Sequence, residues 1–420
     1  MGFMATAGKN SLRLKAARLS EVAPQNRFRK VPVITSKVPA LLGGPPTFQP
    51  PLAFTRPAVP PFAELAPEFE EILNSGALTK GPRLARLESS LREHLKSPHV
   101  VCVNSCTSGL ILGIQSLALS GEVIVPSFSF MATFHALRWN NLTPVFVDCN
   151  PYSLTIDVEA VRAAITPRTC AVMSAYVFGN PPDLDVIDAL CREKGLAHFC
   201  DSAHGIGTLI DGVPAGNHAD FEVFSCSPTK LLTAAEGGVV STRRPEIEQW
   251  IRNGRDYGNP GSYDCDFAGL NARMSEFHAA IMLAGLPRLE SYVQARARLV
   301  EVYKQHLAQV PGIRFQEIRE GVRSSNKDFP IFIEAGAFGL HRDQLQKALL
   351  AEGIPTRAYF DPPGHQLTAY KQELDLPVTA RMCAEVLCLP MSSLMSDQEA
   401  ERVCQCLLEL HRQAPALVSA

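Results

Sequence analysis

Three kinds of signal are missing from this sequence, and each absence closes off a class of function. No charge of one sign dominates: 40 lysines and arginines face 42 aspartates and glutamates, for a formal net charge of −2. Such a chain has no global field to draw in nucleic acid or an anionic membrane, so neither is expected as a partner. No apolar run approaches the roughly 18 to 20 residues that a membrane span requires. The twelve cysteines fall at irregular spacings without a C-x-x-C pair, so neither a zinc-type ligand set nor a disulfide scaffold is expected, and no metal. Cys102, Cys200 and Cys388 lie in core-like runs, while Cys404 and Cys406 stand two apart in ERVCQCLLEL, on different faces of a helix. Thiols used this way suit packing in a reducing compartment, and a cytoplasmic location is expected. No internal repeat is present.

What is there is ordinary globular material, 46% hydrophobic and 20% charged, with enough apolar residues for a sizeable core. Residues 1–30 stand apart. Lys9, Arg13, Lys15, Arg18, Arg27, Arg29 and Lys30 oppose the single acid Glu21. The charge resembles that of a transit peptide, but a solvated basic tail is expected. Residues 31–60 hold a proline- and glycine-rich stretch and read as an extended arm. Helical spacing follows at 63–75 and 82–96. From 99 onward, short β-rich runs (HVVCVN, EVIVP, TPVFVD, CAVMSAYVF, AHFCD) alternate with helical stretches near 108–119, 157–164 and 184–194. That rhythm predicts βαβ units, an α/β fold and a largely parallel sheet. Residues 275–309 read as a long helical segment interrupted at Pro287, joining a large domain (61–299) to a small α+β domain (300–420).

Ligands of open parallel sheets bind at the carboxyl ends of the strands, so three strand-end segments matter. In NSCTSGL (104–110) a strand gives way to a helix among small hydroxyl residues. Backbone amides with Ser105, Thr107 and Ser108 make an anion site there, or simply an N-capped helix. In DSAHGIG (201–207) a strand delivers Asp201 and then His204; the aspartate suits a protonated ring nitrogen, or a helix cap. The glycines do not complete G-x-G-x-x-G, since Ile210 takes the last position. In FSCSPTKLLTAAEGG (224–238), Lys230 sits in an uncharged turn with Ser225, Ser227 and Thr229, where partial burial would free its amine for covalent chemistry. An anion site, an acidic strand end and a secluded lysine, in that order, are the parts that pyridoxal 5'-phosphate requires. Phe130 in PSFSFMAT (126–133) offers the remaining part, an aromatic surface for the ring.

These stretches, with SGALTKGPRLARLE, TPVFVDCNP and NARMSE, resemble the DegT/DnrJ-type (StrS-like) sugar aminotransferases from about residue 40 to 410. The resemblance implies the type I, aspartate-aminotransferase-like fold. It also implies that Lys230 bonds the cofactor aldehyde and shuttles the proton, that Asp201 holds the pyridinium proton, and that His204 lies beside the ring. Phe130 would stack on the ring, and Thr107, Ser108 and Ser225 would bind its phosphate. Asn271 would reach the phosphate of a neighbouring subunit's cofactor, which implies a homodimer with shared active sites. Cys106 and Ser108-Gly109 depart mildly from the family's usual Gly-Thr-Ala-Ala. The expected reaction moves an amino group from L-glutamate to a nucleotide-linked keto sugar, with closest similarity to enzymes acting at C4 of dTDP-4-keto-6-deoxyglucose. Arg255, Tyr257, Tyr359 and His365 could meet substrate or serve the structure. Another keto sugar or a keto-cyclitol is the alternative acceptor. The family's dehydratase branch carries histidine where this chain has Lys230. A non-enzymatic regulator that binds the cofactor would be expected to lose Lys230 or Asp201, or to add a DNA-binding domain.

Overall fold

The computed structural model describes residues 37–418; the basic segment 1–30 and the first residues of the arm lie outside them. Nine strands occupy the stretch from 99 to 242: β1 (His99–Val103), β2 (Glu122–Pro126), β3 (Thr143–Val147), β4 (Thr169–Ala175), β5 (Ala197–Asp201), β6 (Leu209–Ile210), β7 (Val213–Pro214), β8 (Phe221–Ser225) and β9 (Gly238–Thr242). Seven form one sheet in the order β1-β9-β8-β5-β4-β2-β3. Its four pairings among β2, β3, β4, β5 and β8 are parallel, and β9 alone runs antiparallel to both neighbours.

The strands are near-continuous apolar runs because helices cover both faces. On one face Cys102, Cys200, Phe224 and Val239 meet Leu84, Leu87 and Leu91 of the helix Pro82–Leu95. On the other, Val101, Val103, Phe199 and Val223 meet Leu110 and Ile114 of the helix Cys106–Ser116 and Phe134 and Leu137 of the helix Met131–Trp139. The alternation of Val101, Cys102 and Val103 between faces is the two-residue period of a strand. Each buried leucine contributes about 1.5–3 kcal/mol relative to exposure. Gly113 lets the helix Cys106–Ser116 lie close on the sheet, since a Cβ there would come within 2.6 Å of the Phe221 ring.

The segment expected at 275–309 is a helix (Glu276–Gly285), a 3-10 turn (Leu286–Arg288) and a 19-residue helix (Leu289–Leu307). Pro287 cannot donate an amide hydrogen, and the break falls on it. Beyond come β10 (Ile313–Phe315), β11 (Val322–Arg323), β12 (Phe329–Ile333) and β13 (Val386–Leu389). β10, β12 and β13 form an antiparallel sheet, and β11 extends the β6–β7 hairpin. Tyr303, Ile331, Leu345, Leu387 and Leu407 form a core beneath this sheet, and Phe48 of the arm is buried in it. Arm amides Phe48 N–H and Leu52 N–H donate to the carbonyls of Glu352 and Gly353, both at 2.9 Å. The proline-rich arm thus satisfies its backbone on the molecule's surface.

Candidate active site

The parallel strands direct their carboxyl ends to one edge of the large sheet, and a cavity of about 310 Å³ lies there. Asp201, the last residue of β5, is buried in its floor. The Thr133 hydroxyl donates to Asp201 Oδ2 at 2.7 Å, and the Ala203 N–H donates to Oδ1 at 3.1 Å. Burial pushes the Asp201 carboxyl up from its ordinary range, while the two hydrogen bonds and the Lys230 charge pull it down. On balance its pKa is raised by burial; the two hydrogen bonds fix the carboxyl group in place, and a cation beside it would favour the charged form.

Lys230 follows β8 in a turn where its N–H donates to the Ser227 carbonyl at 3.0 Å. Its amine lies in the same cavity, where burial first and the Lys327 charge second bring its pKa down to about 8. A lysine so placed offers a free amine near neutral pH, which a surface lysine does not. His204 is held neutral by burial and by the nearby cations Lys230, Lys327 and Arg296. Its Nδ1 accepts the Phe178 N–H at 3.2 Å, so the ring proton sits on Nε2 as a donor.

At the mouth of the helix Cys106–Ser116, the Ser105 hydroxyl caps the helix by accepting the Ser108 N–H at 3.1 Å. The helix therefore begins two residues before the expected start near 108. Its first amides have no intrahelical acceptor, and Ser105, Cys106 and Thr107 line the cavity beside Ser225 and Ser227. Gly238 at the start of β9 is part of this cradle: a Cβ there would fall 2.6 Å from the Ser105 carbonyl. The Cys106 thiol, kept protonated by burial, lies 3.6 Å from the Val223 carbonyl. Phe130, at the cap of the helix Met131–Trp139, lines the cavity with half its surface exposed (51%).

The fold thus brings Thr107, Phe130, Asp201, His204, Ser225 and Lys230 into one cavity. Ser108 does not line it, being engaged with Ser105. Asn271 is exposed outside it, and its carbonyl accepts the Asn104 side-chain amide at 3.1 Å. Of the four loop candidates, Tyr359 lines the cavity. Arg255 is buried in an ion pair with Glu88, His365 is buried against the Ser127 hydroxyl, and Tyr257 lies under the Arg273 guanidinium. Sequence reasoning missed Thr133, although it falls within PSFSFMAT. It also missed Lys327, Asp328 and Phe360, which arrive from the C-terminal part of the chain.

A flat aromatic at the mouth, a helix terminus ringed by hydroxyls, a buried carboxylate and a neutral-leaning lysine define a pyridoxal-phosphate enzyme of type I fold. The chain belongs to the DegT/DnrJ/EryC1/StrS aminotransferase family, whose profile matches residues 62–408. A dTDP-4-amino-4,6-dideoxy-D-glucose transaminase from Shigella dysenteriae is 33% identical, over 86% of this chain and 99% of its own. A UDP-N-acetyl-3-dehydro-α-D-glucosamine 3-aminotransferase from Acidithiobacillus ferrooxidans is also 33% identical, over 81% of this chain and 92% of its own. The structure of DesI solved with its TDP-sugar product superposes with a TM-score of 0.86 at 35% identity, covering 90% of this chain and 98% of DesI. The protein is therefore an aminotransferase, and its cofactor is pyridoxal 5'-phosphate. The residues present fit that group: the donor set at residues 105–107, 225 and 227 suits a phosphate dianion, and the buried Asp201 suits a ring cation. Among the described residues, no helix is long and apolar enough to cross a membrane.

Proposed function

We propose that this aminotransferase moves an amino group from L-glutamate to C4 of dTDP-4-keto-6-deoxyglucose, as a cytoplasmic homodimer. The observation that carries the reading is the meeting of the buried Lys230 amine and the buried Asp201 carboxylate in one cavity at the strand ends. The choice of acceptor is supported by the name of the Shigella relative, a dTDP-4-amino-4,6-dideoxy-D-glucose transaminase, and the dTDP link by the TDP-sugar product of DesI.

Bound in this cavity, pyridoxal phosphate supplies an electron sink for the carbon that loses its proton. Asp201 keeps the ring nitrogen protonated, and Thr133 and the Ala203 amide hold that carboxylate in place. Ser105, Thr107, Ser225 and Ser227 with the helix amides would hold the phosphate, Phe130 would offer an apolar surface to the ring, and His204 Nε2–H would supply a donor to it. Lys230 Nζ would hold the cofactor, and as a free amine it would serve as the base that takes the α-carbon proton of L-glutamate. In the second half-reaction the same Nζ gives a proton to C4 of the sugar. One base serves both halves because each half runs the other's proton transfer in reverse. Asn271 completes the phosphate site of the partner subunit, consistent with its exposure outside its own chain's cavity.

Incubation with ¹⁵N-labelled L-glutamate and, in parallel, dTDP-4-keto-6-deoxyglucose or a UDP-linked 3-keto sugar should place ¹⁵N on C4 of the former, read by mass spectrometry and NMR. Label that instead enters a UDP-linked 3-keto sugar would reassign the acceptor. Label transfer to no keto sugar would remove the reading. Mixing inactive Asn271→Ala and Lys230→Ala proteins should restore up to about a quarter of native activity through hybrid dimers with one intact site. No recovery would show that the sites are not shared.

A further inference from the structure

Lys327 and Asp328 stand side by side immediately before β12. Lys327 Nζ donates to both carboxylate oxygens of Asp328, at 2.8 and 2.9 Å. The two residues are only 5% and 3% exposed, yet both line the cavity that contains Lys230 and Asp201. Their loop is fixed from behind. The buried Arg296 donates to the carbonyls of Asn326 and Lys327 and to Ser393 Oγ, and the Lys327 N–H donates to the Phe178 carbonyl at 3.0 Å. The Ser325 hydroxyl donates to the His204 carbonyl at 2.8 Å, tying the loop to the turn after Asp201.

Stability does not account for this pair, because well-packed apolar residues in place of a buried ion pair are commonly as stable or more so. Its chemistry points to a ligand. An ammonium has three N–H donors, and Asp328 engages two of them; the carboxylate keeps lone pairs beyond those that Lys327 uses. The pair is neutral as a unit, with a spare donor and spare acceptors side by side. An anion brought to it would meet the charge of Asp328. An alcohol, which donates and accepts at one oxygen, matches both halves.

Building on the acceptor reading above, we propose that the Lys327–Asp328 pair reads the hydroxyl on the ring carbon next to the sugar's carbonyl, making it a specificity determinant of the second half-reaction. In a 4-keto-6-deoxy sugar the carbonyl is flanked by C3, which carries a hydroxyl, and C5, which carries a methyl. The partner is therefore the C3 hydroxyl. A buried polar site left without its hydroxyl discriminates strongly, here by roughly 100-fold or more in kcat/KM.

The test follows each half-reaction of the holoenzyme separately by cofactor absorbance, in the native protein and in Lys327→Met/Asp328→Ala, which removes both charges together. The acceptors are dTDP-4-keto-6-deoxyglucose and dTDP-4-keto-3,6-dideoxyglucose. The native enzyme should favour the hydroxylated sugar by roughly 100-fold, and the variant by less than about 3-fold. Because Lys327 and Asp328 pull Lys230 in opposite directions, removing both charges together should leave the L-glutamate half-reaction within about 2-fold, and the thermal midpoint should not fall. The ratio between two sugars in one preparation does not depend on how much of the variant is folded, and the native ratio needs no variant. Equal use of both sugars by the native enzyme overturns the proposal. So does a variant that keeps the preference, or a loss confined to the L-glutamate half. Transfer to neither sugar by the native enzyme overturns the acceptor reading itself, whereas a failure of the pair alone leaves transfer intact without the expected discrimination.

Discussion

The floor of the cavity and the part of its wall that comes from the C-terminal half are made of different material. The floor is a set of turns at the carboxyl ends of β1, β5 and β8, bearing hydroxyls, the carboxyl groups of Asp201 and Glu236, His204 and one lysine. The wall is a loop before β12 and the Tyr359–Phe360 segment, with a closed ion pair and two aromatic rings 5.6 Å apart. On the reading proposed above, floor residues would face what both half-reactions share, and wall residues what differs between them. The floor would then set the type of chemistry, and the wall which molecule undergoes it.

Substitutions can break this division. Asp201→Asn keeps the shape of the floor and removes its charge. It should slow both half-reactions by roughly 100- to 1,000-fold, in keeping with the few kcal/mol of a buried charge contact. Stopped-flow absorbance with L-glutamate and with the keto sugar would measure both; a loss confined to one half would contradict the role given to the floor. Thr133→Val removes one hydrogen bond to that carboxylate, which is worth about 1.5–3 kcal/mol when the acceptor is charged. Because the Ala203 amide still holds Asp201, we expect about a tenfold loss, equal in the two halves. The wall variant described above should leave the L-glutamate half nearly untouched, which is the sharpest contrast with the floor.

The same contrast explains what could be read from the sequence. Each floor turn is a contiguous stretch whose small residues and hydroxyls stand out from the apolar strand before it, so Asp201, Lys230, Ser225 and Thr107 were legible one segment at a time. Their assembly followed from the rule that parallel strands present their carboxyl ends together. Lys327 and Asp328 gave no such signal, because a charged pair before FPIFI reads as the solvated end of a strand. The Arg296 anchor, the contact with Phe178 and the Ser325–His204 bond, all from segments distant in the chain, hold it against the cavity. Thr133 was hidden differently: it lies on the helix Met131–Trp139, and its partner is 68 residues away. Arg255 could not be placed from sequence because its ion-pair partner, Glu88, comes from the helix Pro82–Leu95, distant in the chain.

In the fold, the alternation from β1 to β5 was legible from period, with helix ends shifted by up to three residues, whereas the helices Met131–Trp139 and Pro245–Gly254 and the strand β13 were not read. The β6–β7 hairpin was missed although its turn carries a signal. Asp211 and Gly212 both adopt positive φ, 49° and 79°, the geometry that an Asp-Gly pair favours between two strands. Strands of two residues are too short to show a period, so only the turn could have revealed them.

Everything in the floor depends on the Lys230 amine forming the covalent link to the cofactor. Borohydride reduction of the holoenzyme, followed by proteolysis and mass spectrometry, should find the reduced cofactor on the peptide carrying Lys230 and nowhere else. Cofactor fixed to any other lysine, or equal fixation in Lys230→Ala, would contradict the account.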